Sequence, residues 1–332
     1  MQSNRRNFLS FLTAIEPPKN ECWLHVNRTA MACKFEVTLP RSEEKGVTAA
    51  TMALDEIDRL ESKLTVFRDN SEVSYVNALA AERPVQISDE LFDLLSLCQG
   101  IHRDTEGAFD ITAGPLTRCW GFLKRQGRLP ELEEIDKARA FVGSENLLLD
   151  SAAKTIQFSE PGVEVNLGSI GKGYALDRAA RLLSPTIPNV LLNAGASSMR
   201  AVGPGKDGRG WMVGLRHPRA KLKRLGVLRL RDCALSTSGN EEQFFELGSS
   251  RFSHIIDPRS GWPAEGVTSV SVVAANGALS DALATAFFVG GRELAERYCA
   301  VNRDVLVIML ESTAASPVVF GSSTGCDGLT NF

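Results

Sequence analysis

Residues 253–285 concentrate the side chains of this sequence that could carry out chemistry. The stretch opens with Ser253-His254-Ile255-Ile256-Asp257-Pro258-Arg259-Ser260-Gly261-Trp262-Pro263. That pattern reads as a histidine on an apolar strand that stops at a Pro/Gly turn. A run of valines from Val267 to Val273 reads as a second strand, and Ser280-Asp281-Ala282-Leu283-Ala284-Thr285 as the start of a helix with Ser280 as N-cap. Asp281 and Thr285 stand four residues apart, so their oxygens share one helix face. A carboxylate and a hydroxyl so placed suit a hard cation such as magnesium, which takes oxygen ligands and keeps several waters. The same spacing also fits a capping aspartate beside a threonine that bonds its own backbone. His254 by itself is more often structural than catalytic, and its neighbours are what single it out.

A second chemical signal is the glycine turn Gly168-Ser169-Ile170-Gly171-Lys172-Gly173. Glycines let the backbone approach a ligand, amides at a helix start attract anions, and Lys172 adds a mobile positive charge. The turn is not a Walker A loop. Asn166 stands where that pattern needs its first glycine, and Gly173 follows the lysine in place of Ser or Thr. On pattern alone a packing turn and a phosphate site fit it equally. Asp110 ends the turn 105–110, where a cap or turn role is the common one. His25, His102 and His217 have no recognisable setting.

The elements that must position these groups are read from periodicity. Two β-rich segments between Trp23 and Leu39 flank residues 28–32. Residues 46–64 are the clearest helix, with Ala50, Leu54, Ile57, Leu60 and Leu64 at helical spacing. Ser71 caps a short helix through Asn77, and Ser88 starts another that buries Leu91, Leu94, Leu95 and Cys98. Residues 131–141 are helical, 146–150 and 155–159 form a hairpin, and 163–167 form a strand that enters the glycine turn and a helix through Leu183. Strands follow at 190–193, 211–216, 225–231 and 243–247. Beyond Ser280 come two helices separated by Gly290-Gly291, a strand at 305–310, and a Gly/Ser/Thr-rich tail from Ser322 that is expected to fray. Mixed runs without steady βαβ alternation predict an α+β fold.

Composition narrows the function classes. The 332 residues are 43% hydrophobic and 23% charged with a formal net charge of −3, a soluble globular profile that gives no electrostatic reason to invoke nucleic acid. The basic run 216–224 is the local exception, read as a solvated loop or as help for a phosphorylated ligand. Seven dispersed cysteines without CxxC spacing argue against a disulfide framework and a zinc site. No stretch approaches the roughly 20 apolar residues of a membrane span. Asn4-Arg5-Arg6-Asn7-Phe8-Leu9 has the core of a twin-arginine export signal, but the apolar run after it is short and lacks a small-residue cleavage site. Residues 1–21 are therefore expected to be a flexible leader, with a cytoplasmic location favoured over export.

Taken together, these segments resemble the ApbE-type FAD:protein FMN transferases. The likeness runs in order from about Met31 to Leu310. It is carried by Met31-Ala32-Cys33, by Leu64-Thr65-Val66-Phe67-Arg68 with Ser71 and Asn77, and by residues 107–116 with Trp120-Gly121-Phe122. It continues through 166–177, Asn193-Ala194-Gly195, Ser236-Thr237-Ser238-Gly239 and the 253–285 stretch. The resemblance implies a single α+β domain over 22–312, similar to a T-fold with mostly antiparallel sheets, and a tail at 313–332. It also implies magnesium-dependent transfer of FMN from FAD to a Ser or Thr hydroxyl of a target flavoprotein, with release of AMP. By motif position His254 would be the general base, while Asp281, Thr285 and the carbonyl of Ser169 would hold the metal. Met31, Phe67, Ala108, Phe109, Asp110, Asn166, Lys172 and Ile256 would line the FAD site.

The acceptor implied is a flavoprotein segment of the Asp-x-Ser/Thr-Gly-Ala-Ser/Thr type. The chain departs from the usual pattern at Ala32-Cys33 for Gly-Thr, Phe67 for tyrosine, Asn166 for aspartate and Asn240 for tyrosine. The same residues would serve an FAD pyrophosphatase giving FMN and AMP, and a flavin-binding paralogue without catalysis would keep most of them.

Overall fold

The computed structural model describes residues 22–330 apart from 44, 125, 221, 240–243 and 248–249. The leader motif at residues 4–9, the rest of segment 1–21, and Asn240 lie outside the described residues. The described chain enters as a hairpin, β1 (Trp23–Ala30) and β2 (Cys33–Pro40), closed by the two-residue turn Met31-Ala32. Both turn residues have positive φ, 48° and 58°. This is the left-handed geometry that such hairpins need and that Asn-Gly supplies more easily. The amide of Met31 donates to Glu61 Oε1 at 2.8 Å and so holds the strained turn from the side.

A helical section follows: α1 (Gly46–Leu64), α2 (Glu72–Leu79), the short strand β3 (Val85–Gln86), α3 (Asp89–Asp104), α4 (Gly114–Cys119) and α5 (Leu132–Arg139). Helix α1 buries Ala50, Ala53, Leu54, Ile57, Leu60 and Leu64 along one face. Ser71 and Ser88 cap α2 and α3 by accepting from the amides of Ser74 and Leu91. The hairpin β4 (Leu147–Asp150) and β5 (Thr155–Phe158) joins β3 in a small antiparallel sheet.

Residues 163–167, expected as a strand, belong to no sheet. The period-2 burial is real, with Val163, Val165 and Leu167 buried. Its backbone partner, however, is a side chain: the amide of Asn77 accepts from Val165 N at 2.8 Å and donates to Val165 O at 2.9 Å. Periodicity reports which side is buried, not what the backbone bonds to.

After α6 (Gly171–Leu183) strands predominate: β6 (Val190–Ala194), β7 (Ser198–Val202), β8 (Trp211–Arg216), β9 (Arg224–Leu230), β10 (Ala234–Gly239), β11 (Phe244–Leu247), β12 (Ser250–Ser253) and β13 (Val267–Ala274). The chain then forms α7 (Gly277–Val301), β14 (Val305–Glu311), β15 (Val318–Ser322) and β16 (Cys326–Thr330). One eight-stranded sheet runs β1-β2-β6-β7-β10-β13-β14-β15, its pairs all antiparallel. Strand β13 is buried at all eight positions because both faces are covered. Val270 and Val272 enter the main core with α6 and α7, whereas Val273 joins Leu235, Leu306 and Ile308 against Trp211 and Leu228 from the β8–β9 pair.

Helix α7 breaks at Gly291, where φ is 67° and ψ is −161°, so the two expected helices meet at a kink. The tail does not fray through Thr330, because β16 pairs with β9. Its Leu329 packs over Gly226, where any Cβ would meet Leu329 Cδ1 at 2.5 Å. The basic run falls at the β8–β9 turn, and Arg219 there bonds Thr268 and the carbonyls of Glu311 and Ser312.

Candidate active site

Helices α6 and α7 meet in their first turns at two glycines. A Cβ on Gly173 would lie 1.9 Å from the carbonyl oxygen of Gly277, and one on Gly277 would lie 2.4 Å from that of Gly173. Across this contact the helices exchange carboxylates. Asp281 of α7 accepts from Gly173 N through Oδ2 at 2.7 Å, and Asp177 of α6 accepts from Gly277 N and Ala278 N at 2.7 and 2.9 Å. The N-cap of α7 is Asn276, whose side chain accepts from Leu279 N and whose carbonyl accepts from Ser280 N. All four leading amides of α7 are thereby satisfied.

Ser280, expected as that cap, instead lies inside the helix, fully buried, with its hydroxyl 2.8 Å from Ser236 Oγ. Burial pushes the Asp177 carboxyl above its ordinary pKa, although the two amides and Arg200, at 3.4 Å, favour its charged form.

A cleft of about 360 Å³ opens beside this crossing. Among the residues singled out in the sequence, it gathers Ala108, Asp110, Asn166, Ser169, Lys172, His254, Ile256, Asp281 and Thr285. Met31, Phe67 and Phe109 do not line it. Met31 sits in the hairpin turn and packs on the main core, and the Phe109 side chain is wholly buried there. Phe67 is 74% exposed on the α1–α2 connection. In the 108–110 motif the chain alternates, so its outer residues face the cleft while Phe109 anchors them from behind.

The charges of Asp281 and Lys172 are met by neutral partners. Asp281 Oδ1 accepts from Ser198 Oγ at 2.7 Å, and Lys172 donates to Ser197 Oγ at 2.5 Å. Ser197 ends the tight β6–β7 turn and Ser198 opens β7; in that turn Gly195 and Ala196 have positive φ and Asn193 Oδ1 accepts from Ala196 N. No carboxylate pairs with Lys172 among the described residues, which leaves its charge for an anionic ligand. Among the described residues Thr285 Oγ1 makes only long contacts of 3.4 Å, to Asp281 O and Ser238 Oγ. Asp281 does cap a helix, but the helix is α6 and not its own.

Ser169, Asp281 and Thr285 offer oxygen donors with a single carboxylate. Among the described residues no group of three or more His, Cys, Asp or Glu is arranged to hold a metal. Such a set fits magnesium, which binds through one or two carboxylates and completes its shell with substrate phosphates and water.

His254 is the first residue after β12, not a residue within the strand. A short turn fixes residues 256–263 beyond it. Ile256 bridges Pro263, Asp257 N donates to Trp262 O, and Gly261 N donates to Asp257 O, both at 2.8 Å. Trp120 Nε1 donates to Gly261 O at 2.9 Å and ties this turn to the end of α4. Behind it the Trp120 ring packs with Phe245, Phe252 and Trp262, and Phe122 meets the His254 ring edge-on at 6.5 Å.

Asp110 is a turn aspartate and also half of a pair. Its Oδ1 accepts from the backbone and hydroxyl of Thr112, and its Oδ2 lies 3.1 Å from His102 Nδ1. The hydrogen bond to Asp110 raises the pKa of His102 despite partial burial. Asn166 shapes the glycine turn by accepting from Gly168 N and donating its own amide to Ile111 O. His102, Asp177, Ser197 and Ser198 escaped the sequence reading. Asp177 lay inside a quoted motif, four residues beyond Gly173, but its partner is a hundred residues away.

Comparison with known proteins places the chain in a family. The sequence profile of the ApbE family matches residues 31–309. The FAD:protein FMN transferase of Vibrio cholerae serotype O1 is 29% identical over 92% of this chain and 92% of its own length. That of Escherichia coli K12 is 30% identical over 77% of this chain and 74% of its own. The ApbE protein of Thermotoga maritima superposes with a TM-score of 0.82 at 28% identity, covering 91% of this chain and 98% of that one. With most of its length matched in profile, sequence and fold alike, the chain belongs to the ApbE family.

Proposed function

We propose that this chain transfers FMN from FAD to a Ser or Thr hydroxyl of a target flavoprotein, in a magnesium-dependent reaction that releases AMP. The observation that carries the reading is the convergence in one cleft of His254, Lys172 and the oxygen donors Ser169, Asp281 and Thr285. The names of the relatives point to the same donor and the same kind of acceptor.

In this reading the acceptor oxygen attacks the FMN phosphorus, the pyrophosphate P–O bond breaks, and AMP departs with the bridging oxygen. His254 takes the proton of the attacking hydroxyl, a task suited to an imidazole. Lys172, held by a neutral hydroxyl, binds the phosphate oxygens with its full charge. Magnesium on Ser169, Asp281 and Thr285 would supply electrostatic stabilisation of the charge that grows on those oxygens. Ile256 and Ala108 give the cleft apolar wall, and Asp110 and Asn166 give it polar edges.

The test is the intact mass of a peptide of the Asp-x-Thr-Gly-Ala-Thr type after incubation with the protein, FAD and magnesium. The expected result is a gain of one FMN phosphoester, abolished by EDTA and slowed at least ~100-fold in His254→Ala. Release of AMP and free FMN with the peptide unlabelled would replace this reading with a pyrophosphatase. Neither product would leave a flavin-binding chain without catalysis.

A further inference from the structure

We infer that Asp177 is a positioning residue for Asp281, acting through the helix crossing without lining the cleft. The inference rests on magnesium being held by Ser169, Asp281 and Thr285. Asp281 has little freedom to serve a cation. One oxygen is committed to Gly173 N and the other to Ser198 Oγ, so only the remaining lone pairs can turn toward the cleft. Their direction is set by how far α7 has slid and rolled on α6. The glycine pair sets the separation of the two helices and tolerates no side chain.

Slide and roll are set by the two amides that Asp177 holds, Gly277 N and Ala278 N, with Arg200 at 3.4 Å on its flank. Asp281 lies one turn beyond those amides. An error at the first turn of α7 is therefore transmitted to the carboxylate over a single helical repeat. Asparagine at 177 would keep the shape but turn an NH2 group against one of two N–H donors, leaving a buried amide unpaired. Outer partners of this kind change metal affinity by about 10–100-fold.

The experiment titrates manganese(II) by electron paramagnetic resonance against the full chain and four variants. Wild type is expected to bind and Asp281→Ala to lose binding. Asp177→Asn is expected to weaken binding at least ~10-fold. Leu183→Ala, which removes core packing at the far end of α6, controls for general destabilisation and is expected to bind like wild type even with a lowered melting temperature. Should Asp177→Asn fail to fold, Asp177→Glu carries the test. It keeps the charge but pushes the amides of α7 outward, and weaker binding at an unchanged melting temperature is expected. Wild-type affinity in both Asp177 variants, with Asp281→Ala defective, overturns the positioning role and leaves the metal reading intact. Equal binding by wild type and Asp281→Ala overturns the metal reading and this inference with it.

Discussion

Two carboxylates in this molecule are treated in opposite ways. Glu90, at the start of α3, is met by Arg59 through two nitrogens at 2.8 and 3.0 Å and by Lys63 at 2.9 Å, with Arg178 at 3.5 Å. The cluster extends to Glu56 and Glu72 and joins α1, α2, α3 and α6. Asp281 is buried, and its partners are an amide and a hydroxyl. A cation neutralises a carboxylate and ends its electrostatic career. Neutral donors satisfy its hydrogen-bonding needs and fix its direction while its charge stays available. Lys172 on Ser197 repeats the second treatment with the sign reversed. The molecule therefore pairs the charge of Glu90 with cations and sets those of Asp281 and Lys172 on neutral partners.

That separation can be broken by mutation. Asp281→Ala is expected to lower kcat/KM for flavin transfer by roughly 10³-fold, whereas Glu90→Gln leaves it within about twofold, measured by the mass assay under initial-rate conditions. Similar losses in both would show that the two carboxylates do one job. A smaller effect is expected from Lys172→Met, which should weaken FAD binding by about 10–100-fold, as befits loss of a charged hydrogen bond. Flavin fluorescence titrated against salt would check it. The variant's affinity should depend less on ionic strength, and an unchanged salt slope would deny Lys172 its role as a free charge.

The smallest effect belongs to the surface network and appears only in acid. Burial opposes ionisation of Glu90, but the bonds from Arg59 and Lys63 outweigh it and take the carboxyl down to about 2. A depressed carboxyl stabilises the fold above its unfolded value of 4.5, and this stability drains away as pH falls toward 2. Glu90→Gln should therefore lower stability near neutrality by about 1 kcal/mol or less and flatten its decline between those pH values, as read by chemical unfolding.

How much the sequence made legible depends on how far each signal reaches along the chain. Helix α1 and the capping serines Ser71 and Ser88 were readable because a helix and its cap are decided within a few residues. The nine candidate residues that meet in the cleft were singled out through motifs in register, and not from their chemistry alone. Phe67 and Phe109 show the limit, since a motif marks a neighbourhood and does not say which of its side chains faces inward. The segment 163–167 misled because Asn77 imitates a neighbouring strand, a partnership 88 residues apart in sequence. His102, Ser197 and Ser198 stayed hidden for the same reason: their meaning lies in tertiary neighbours. The tail misled through composition, because β16 finds a partner in β9 and its Leu329 rests on Gly226, neither of which is visible locally.

The exchange of carboxylates between α6 and α7 also has a consequence in time. Gly173 and Asp281 are separated by 108 residues, and Gly277 and Asp177 by 100. During synthesis the first of these helices must leave the ribosome without the carboxylate that completes it, since its partner does not yet exist. Contacts this distant are among the slow ones to form. The oxygen donors of the cleft thus come together only after the second helix has emerged, and a nascent chain stopped short of it holds only part of the candidate site.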